Sequence, residues 1–175
     1  HPEINNDKKE SIKKLNILLK SLQNFKKSLK VFTSSNCDAG GDTINNKLKQ
    51  FVRKNKNCLY FKNLGKLNYL SLLKHVDCVI GNSSSGILEA PSLKTFTINL
   101  GNRQEGREKA LSVFDVEYKT DAINRVIKKS KKKNLIKNKK IVNPYYKKDT
   151  VENIIKILKK INLNYFSKGF YDLQK

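Results

Sequence analysis

Residues 79–107 read VIGNSSSGILEAPSLKTFTINLGNRQEGR. An apolar strand candidate, Asp77 to Ile80, runs into GNSSSG. ILEA then continues as a short helix that stops near Pro91, and TFTINL (Thr95 to Leu100) forms a second strand closed by Gly101. Strand, tight turn, helix and strand joined by short loops form the repeating unit of a parallel sheet. In a chain with 37 basic residues, only Lys94 interrupts this run before it closes on Arg103 and Arg107. Such sparing use of charge fits either a ligand site or an ordinary strand–turn–helix.

Working outward, the same alternation recurs. Apolar positions Ile12, Leu15, Ile17, Leu18, Leu19 and Leu22 give a mostly helical period between Asp7 and Phe25. Leu29 to Thr33 is a strand candidate entering the loop SSNCDAGGD, where Asp42 or Thr43 is placed to cap a helix reaching about Lys54. CLYF (Cys58 to Phe61) is the next strand and Leu67 to Lys74 the next helix. Beyond the central unit, Val113 to Tyr118 reads as a strand, Asp121 to Lys129 as a helix, and Asp149 to Ile161 as a final amphipathic helix. The lysine-rich stretch 131–140 reads as a solvated helix or linker. The fold class is therefore α/β, a doubly wound, Rossmann-like parallel sheet covered on both faces. We expect a domain over residues 1–143 and a helical tail over 144–175. In such sheets ligands sit beyond the carboxyl ends of the strands. The loops 36–42, 62–66, 81–85 and 101–107 should therefore meet on one rim.

Composition narrows the function classes. With 175 residues and 38% apolar residues, the chain can bury one core. No apolar run approaches the roughly 20 residues that span a bilayer. The chain opens at His1 and holds no methionine, so we expect the later part of a longer protein. The net charge of +22 would ordinarily point to a polyanion. The charge is nearly all lysine, however, spread over several helices, and no aromatic residues interleave with the dense cluster 128–140 to stack bases. We read it as solvated surface, with no specific nucleic-acid partner and no membrane partner. Cys37, Cys58 and Cys78 lack metal-ligand spacing and an even count, which fits buried thiols in a reducing cytoplasm. No metal site or cofactor is expected.

The chemistry concentrates on the rim. In Gly81-Asn82-Ser83-Ser84-Ser85-Gly86, small residues permit close approach, the helix start leaves N–H groups unpaired, and three hydroxyls add donors, a combination suited to phosphate. A lone capping serine, worth about 1 kcal/mol, would explain one of these residues. Glu89, a little over a turn further on, can accept from a ribose diol; the alternative is an ordinary surface carboxylate. Arg103 and Arg107 are two of only four arginines. Their forks match phosphate or carboxylate, unless Glu105 or Glu108 holds them in salt bridges. Asp38 beside Ala39-Gly40-Gly41 fits an Asx turn better than an acid or base. No Ser-His-Asp set or carboxylate pair is visible.

The segment GNSSSGILEAPSLKTFTINLGNRQEGR, the opening HPE, NCDAGGD, NLGKLNYLSLLKH and NPYYKKDTVENIIKIL, in that order, resemble the hydrolysing UDP-N-acetylglucosamine 2-epimerases. The resemblance covers most of the chain. It implies the C-terminal, UDP-binding half of a two-domain fold of the glycosyltransferase-B kind, with the acid/base carboxylates in an N-terminal domain that lies outside this chain. By that resemblance Ser83 and Ser84 hold the diphosphate, Glu89 the ribose, and Arg103 the phosphate or sugar side. His1 of the HP motif faces the diphosphate, Asn36 and the backbone near Leu64 lie by the nucleoside, and Tyr69 supports the uracil. Asn82, Ser85 and Arg107 are further candidates. The implied reaction eliminates UDP to a glycal and adds water to give the 2-epimer. The implied partners are a UDP-amino sugar, the N-terminal domain and a further copy of the enzyme. A glycosyltransferase would use the same nucleotide clamp, and a basic nucleic-acid-binding module is the reading from another class. The chain departs from the family in one place, where Tyr146-Lys147-Lys148 stands in for a glycine-containing turn.

Overall fold

The computed structural model describes residues 1–3, 8–36, 38–132 and 140–161. Its elements run α1 (Lys8–Gln23), β1 (Lys30–Thr33), α2 (Gly41–Arg53), β2 (Cys58–Phe61), α3 (Gly65–His75), β3 (Cys78–Gly81) and α4 (Ser85–Leu88). There follow a 3-10 turn (Ala90–Leu93), β4 (Phe96–Leu100), β5 (Val113–Val116), α5 (Thr120–Ser130) and α6 (Thr150–Lys160). The chain divides into two compact units between Tyr145 and Tyr146. Cys37 and most of the lysine-rich 131–140 stretch lie outside the described residues.

All strand pairing is parallel, as alternating strands and helices demand. β1 pairs with β2, Lys30 opposite Cys58. β4 lies between β3 and β5, with Ile98 opposite both Ile80 and Phe114. β4 is buried along its whole length, as befits a central strand covered on both faces, although Thr97 and Asn99 alternate with its apolar residues. Its two polar interior residues are both satisfied. Asn99 Nδ2 donates to Asp115 Oδ1 at 2.7 Å, and Thr97 Oγ1 donates to the Gly86 carbonyl at 2.8 Å.

Two apolar clusters hold the first unit. One joins Leu22 of α1 to Phe96, Ile98, Leu100, Val116, Ile123 and Ile127. The other joins Leu15 and Leu19 of α1 to Ile44 and Leu48 of α2. Helix α1 thus serves both, and Phe32 of β1 packs against each. The lysines of α1 and α5 do more than cover the outside. Lys14 lies over the Tyr118 ring at 5.3 Å and Lys129 over Phe114 at 4.7 Å, so their stems and charges roof aromatic edges of the core.

Capping departs from the sequence expectation. Neither Asp42 nor Thr43 caps α2; the N-cap is Gly40, in the left-handed region at φ 90°. A Cβ on Gly41 would lie 2.3 Å from the Asn36 carbonyl oxygen. The loop after β1 therefore crosses directly over the helix start, and the glycine pair answers to that crossing. At the far end, Asp149 takes the left-handed conformation before α6, at φ 54°. Aspartate tolerates this region better than most side chains do. The apolar side chains of α6, among them Val151, Ile154 and Leu158, are exposed.

Gly86 marks the closest approach of α4 to the sheet: an added Cβ would sit 2.7 Å from Thr97 Cγ2. We expect Gly86→Ala to lower stability in urea unfolding by about 1–3 kcal/mol, the cost of overpacking. Thr97→Ser, which deletes Cγ2 and keeps the hydroxyl, should relieve much of that loss. Strictly additive effects in the double variant would show that this contact is not what requires glycine.

Candidate functional site

The site starts from one side chain. Asn82, the residue after β3, is only 3% exposed. Its Oδ1 accepts from the His1 amino nitrogen at 2.7 Å, and its Nδ2 donates to the His1 carbonyl at 2.9 Å. The side chain thus pairs with main chain much as a neighbouring strand would. The Asn82 carbonyl takes two donors from the loop after β4: Arg103 Nη1 at 3.0 Å and Gln104 Nε2 at 2.9 Å.

The His1 ring carries the network to the loop after β1. The Asn36 N–H donates to Nδ1 at 2.9 Å. A nitrogen that accepts that bond carries no proton, so the neutral ring holds its proton on Nε2. Asn36 Oδ1 also approaches Nδ1, at 3.2 Å, but two acceptors share no proton, and the backbone bond decides the tautomer. Asn36 Nδ2 donates instead to the Asp38 carboxylate. Pro2 is buried, and Glu3 forms a 2.6 Å ion pair with Lys14 of α1. The HPE stretch is therefore fastened residue by residue, and the His1 Nε2–H remains as a donor for something outside this network.

The serine loop is built differently. Ser84 stands at the N-cap of α4 without a side-chain capping bond, so simple capping by Ser84 or Ser85 is not its role. Ser83 Oγ accepts only a long 3.4 Å contact from the Ser85 N–H, and the Ser83 and Ser84 amides have no acceptor among the described residues. Helix α4 has only four residues, too few to sum a large macrodipole. Anion binding here would rest on individual N–H and O–H donors. Tyr69 of α3 bonds Ser85 Oγ through its hydroxyl at 2.5 Å, which fixes Ser85 in place. Burial raises the Tyr69 hydroxyl above its ordinary range; the Ser85 bond opposes this, and the nearby Glu89 charge adds to it.

Glu89 occupies the junction between α4 and the 3-10 turn. It is half-buried, and its carboxylate has no hydrogen-bond or ion-pair partner among the described residues. Arg107 is exposed and, among the described residues, pairs with neither Glu105 nor Glu108.

The structure thus unites His1, Asn36, Asn82 and Arg103 in one network, and Tyr69, Ser83, Ser84, Ser85 and Glu89 around one short helix. Leu64, half-buried, caps the start of α3, and no hydrogen bond ties its loop to that network. Asn82 is the candidate whose place differs most from the expectation, since its side chain is spent on His1 main chain. Two contributors were not singled out from sequence. Gln104 is 2% exposed and braces Asn82; its position within GNRQ was the available signal. Asn143, in the quoted NPYY, bonds Leu88 and Ser92. No group of three metal-ligating side chains occurs among the described residues, and none of their helices is long and apolar enough to cross a membrane.

The sequence profile of the UDP-N-acetylglucosamine 2-epimerase family matches residues 1–159. The chain belongs to that family. Over 110 residues it is 43% identical to the GDP/UDP-N,N'-diacetylbacillosamine 2-epimerase (hydrolyzing) of Campylobacter jejuni, covering 62% of this chain and 29% of that protein. Over 106 residues it is 42% identical to the polysialic acid biosynthesis protein P7 of Escherichia coli, covering 61% and 27%. The chain thus spans less than a third of the relatives it matches. The fold is shared with the Methanocaldococcus jannaschii UDP-GlcNAc 2-epimerase, solved with UDP-GlcNAc and UDP. The TM-score is 0.62 at 21% identity, over 86% of this chain and 41% of the other. The α/β architecture expected from sequence is therefore that of this family.

Removing the Asn82 side chain should release His1. For Asn82→Ala we expect a stability loss of about 1–3 kcal/mol and faster hydrogen exchange of the Asn36 amide, whose acceptor is His1 Nδ1. An Asn36 amide as protected as in the parent chain would separate His1 from Asn82.

Proposed function

We propose that this chain is the UDP-binding half of a hydrolysing 2-epimerase acting on a UDP-linked amino sugar. UDP-N-acetylglucosamine and a 2,4-diacetamido analogue are the substrates most in keeping with the names of the relatives. The observation that carries the reading is Glu89. In a chain with 37 basic residues, a half-buried carboxylate without a cationic partner, one short helix beyond two open amides, is arranged for a ligand that brings its own donors. A ribose diol does so, and its diphosphate reaches the amides and hydroxyls of Ser83 and Ser84.

In this reading His1 and Arg103 serve the departing diphosphate. The His1 tautomer leaves Nε2–H to donate, and Arg103 spends one N–H on Asn82 and keeps the rest of its fork. Leaving-group stabilisation of this kind lowers the barrier to elimination because the donors are in place before charge develops. Asn36 and the Leu64 backbone fall to the nucleoside. Tyr69 and Ser85 act as a bonded pair, and Arg107 supplies a second cation at the mouth. Proton transfer at the sugar C2 requires carboxylates from a preceding domain, so this chain alone binds UDP and turns nothing over. A cytoplasmic enzyme using a cytoplasmic sugar nucleotide fits this reading; burial pushes the Cys58 and Cys78 thiols up.

Calorimetric titration of the chain with UDP at moderate salt tests this. Saturable one-site binding is expected, weakened at least about tenfold in Glu89→Ala and in Ser84→Ala, as for loss of a hydrogen bond to a charged group. Binding indifferent to both changes, or a steep salt-dependent affinity for DNA that ignores them, would remove the proposal.

A further inference from the structure

We infer that Asn143 is a positioning residue for Glu89, acting across a hinge between two helical turns that are too short to hold their own angle. The inference rests on the reading of Glu89 as the ribose acceptor. Glu89 closes the four-residue α4 and opens the four-residue 3-10 turn that follows. Its N–H bonds the Ser85 carbonyl at 2.9 Å, and its carbonyl accepts from the Ser92 N–H at 3.1 Å. One turn on each side gives little cooperative stability of its own, so the angle between the two turns, and with it the direction of the Glu89 side chain, depends on what holds them from outside.

Asn143 lies 55 residues on from Leu88 and closes that gap. Its Nδ2 donates to the Leu88 carbonyl at 2.8 Å and to Ser92 Oγ at 2.7 Å, gripping the residue before the hinge and one three positions after it. Its Oδ1 accepts the Tyr145 N–H at 3.0 Å, an Asx turn over Pro144 that fixes the asparagine itself. The side chain is 9% exposed with both ends engaged, and only asparagine supplies two donors and an acceptor at this reach. Aspartate would keep the Asx turn and lose both donors. The Asn143 side chain thus ties together the two turns that flank Glu89.

The test compares the 175-residue chain with Asn143→Ala and the isosteric Asn143→Asp, which decides alone if the alanine variant fails to fold. Without ligand, exchange of the Glu89 and Ser92 amides should accelerate about tenfold or more in either variant while the β4 amides stay protected. With ligand, the parent should prefer UDP over 2′,3′-dideoxy-UDP, and that preference should collapse in both variants, which general destabilisation would not produce. Unchanged exchange at Glu89 and Ser92, or an intact diol preference, overturns the inference. If the parent shows no diol preference or no UDP binding, the ribose reading of Glu89 fails, and exchange alone then decides whether Asn143 braces the hinge.

Discussion

The rim of this domain depends on a side-chain amide that imitates a strand. Asn82 pairs both hydrogen-bonding groups of its side chain with the main chain of His1, and its own carbonyl gathers Arg103 and Gln104. A buried amide so placed must be satisfied fully, because each unmet group would cost about 1–3 kcal/mol. That demand draws the start of the chain, the loop after β3 and the loop after β4 to one point. The His1 ring then binds the loop after β1 through the Asn36 N–H. The donors at the rim hold fixed positions because this one residue has no slack.

Beside that network stands a second group of candidates. Ser83, Ser84 and Glu89 belong to a single helical turn that follows β3, held by a close contact with β4 at Gly86, by Tyr69 through Ser85, and by Asn143. Each brace comes from a different element. In the proposed clamp the diphosphate would draw on both groups, on His1 and Arg103 from the network and on Ser83 and Ser84 from the turn, with Glu89 left for the ribose.

Much of the architecture could be read from residue order because apolar runs and glycine turns carry it. β4 is bounded by Thr95 and the Gly101 turn, and α1 shows a helical period because its inner side meets two clusters. One reading failed outright. Asp42 and Thr43 looked like caps by local pattern, but the close passage of the Asn36 carbonyl over Gly41 sets the helix start. Asn82 is a candidate by its small polar neighbours, and the threading of residues 1–3 adds that its side-chain amide is paired with the His1 main chain. Gln104 and Asn143 act on partners 22 and 55 residues away, and no window of sequence contains both members of such a pair. Glu89 could be named as a candidate because its place follows from its own helix.

The bond between His1 and Asn82 joins residues 81 apart in the chain. Closing a loop of that length costs entropy before any contact compensates for it, so the rim cannot form by local collapse. It depends on β3, β4 and α1 all holding their native places. The rim is therefore a product of the whole first unit and of no single segment in it.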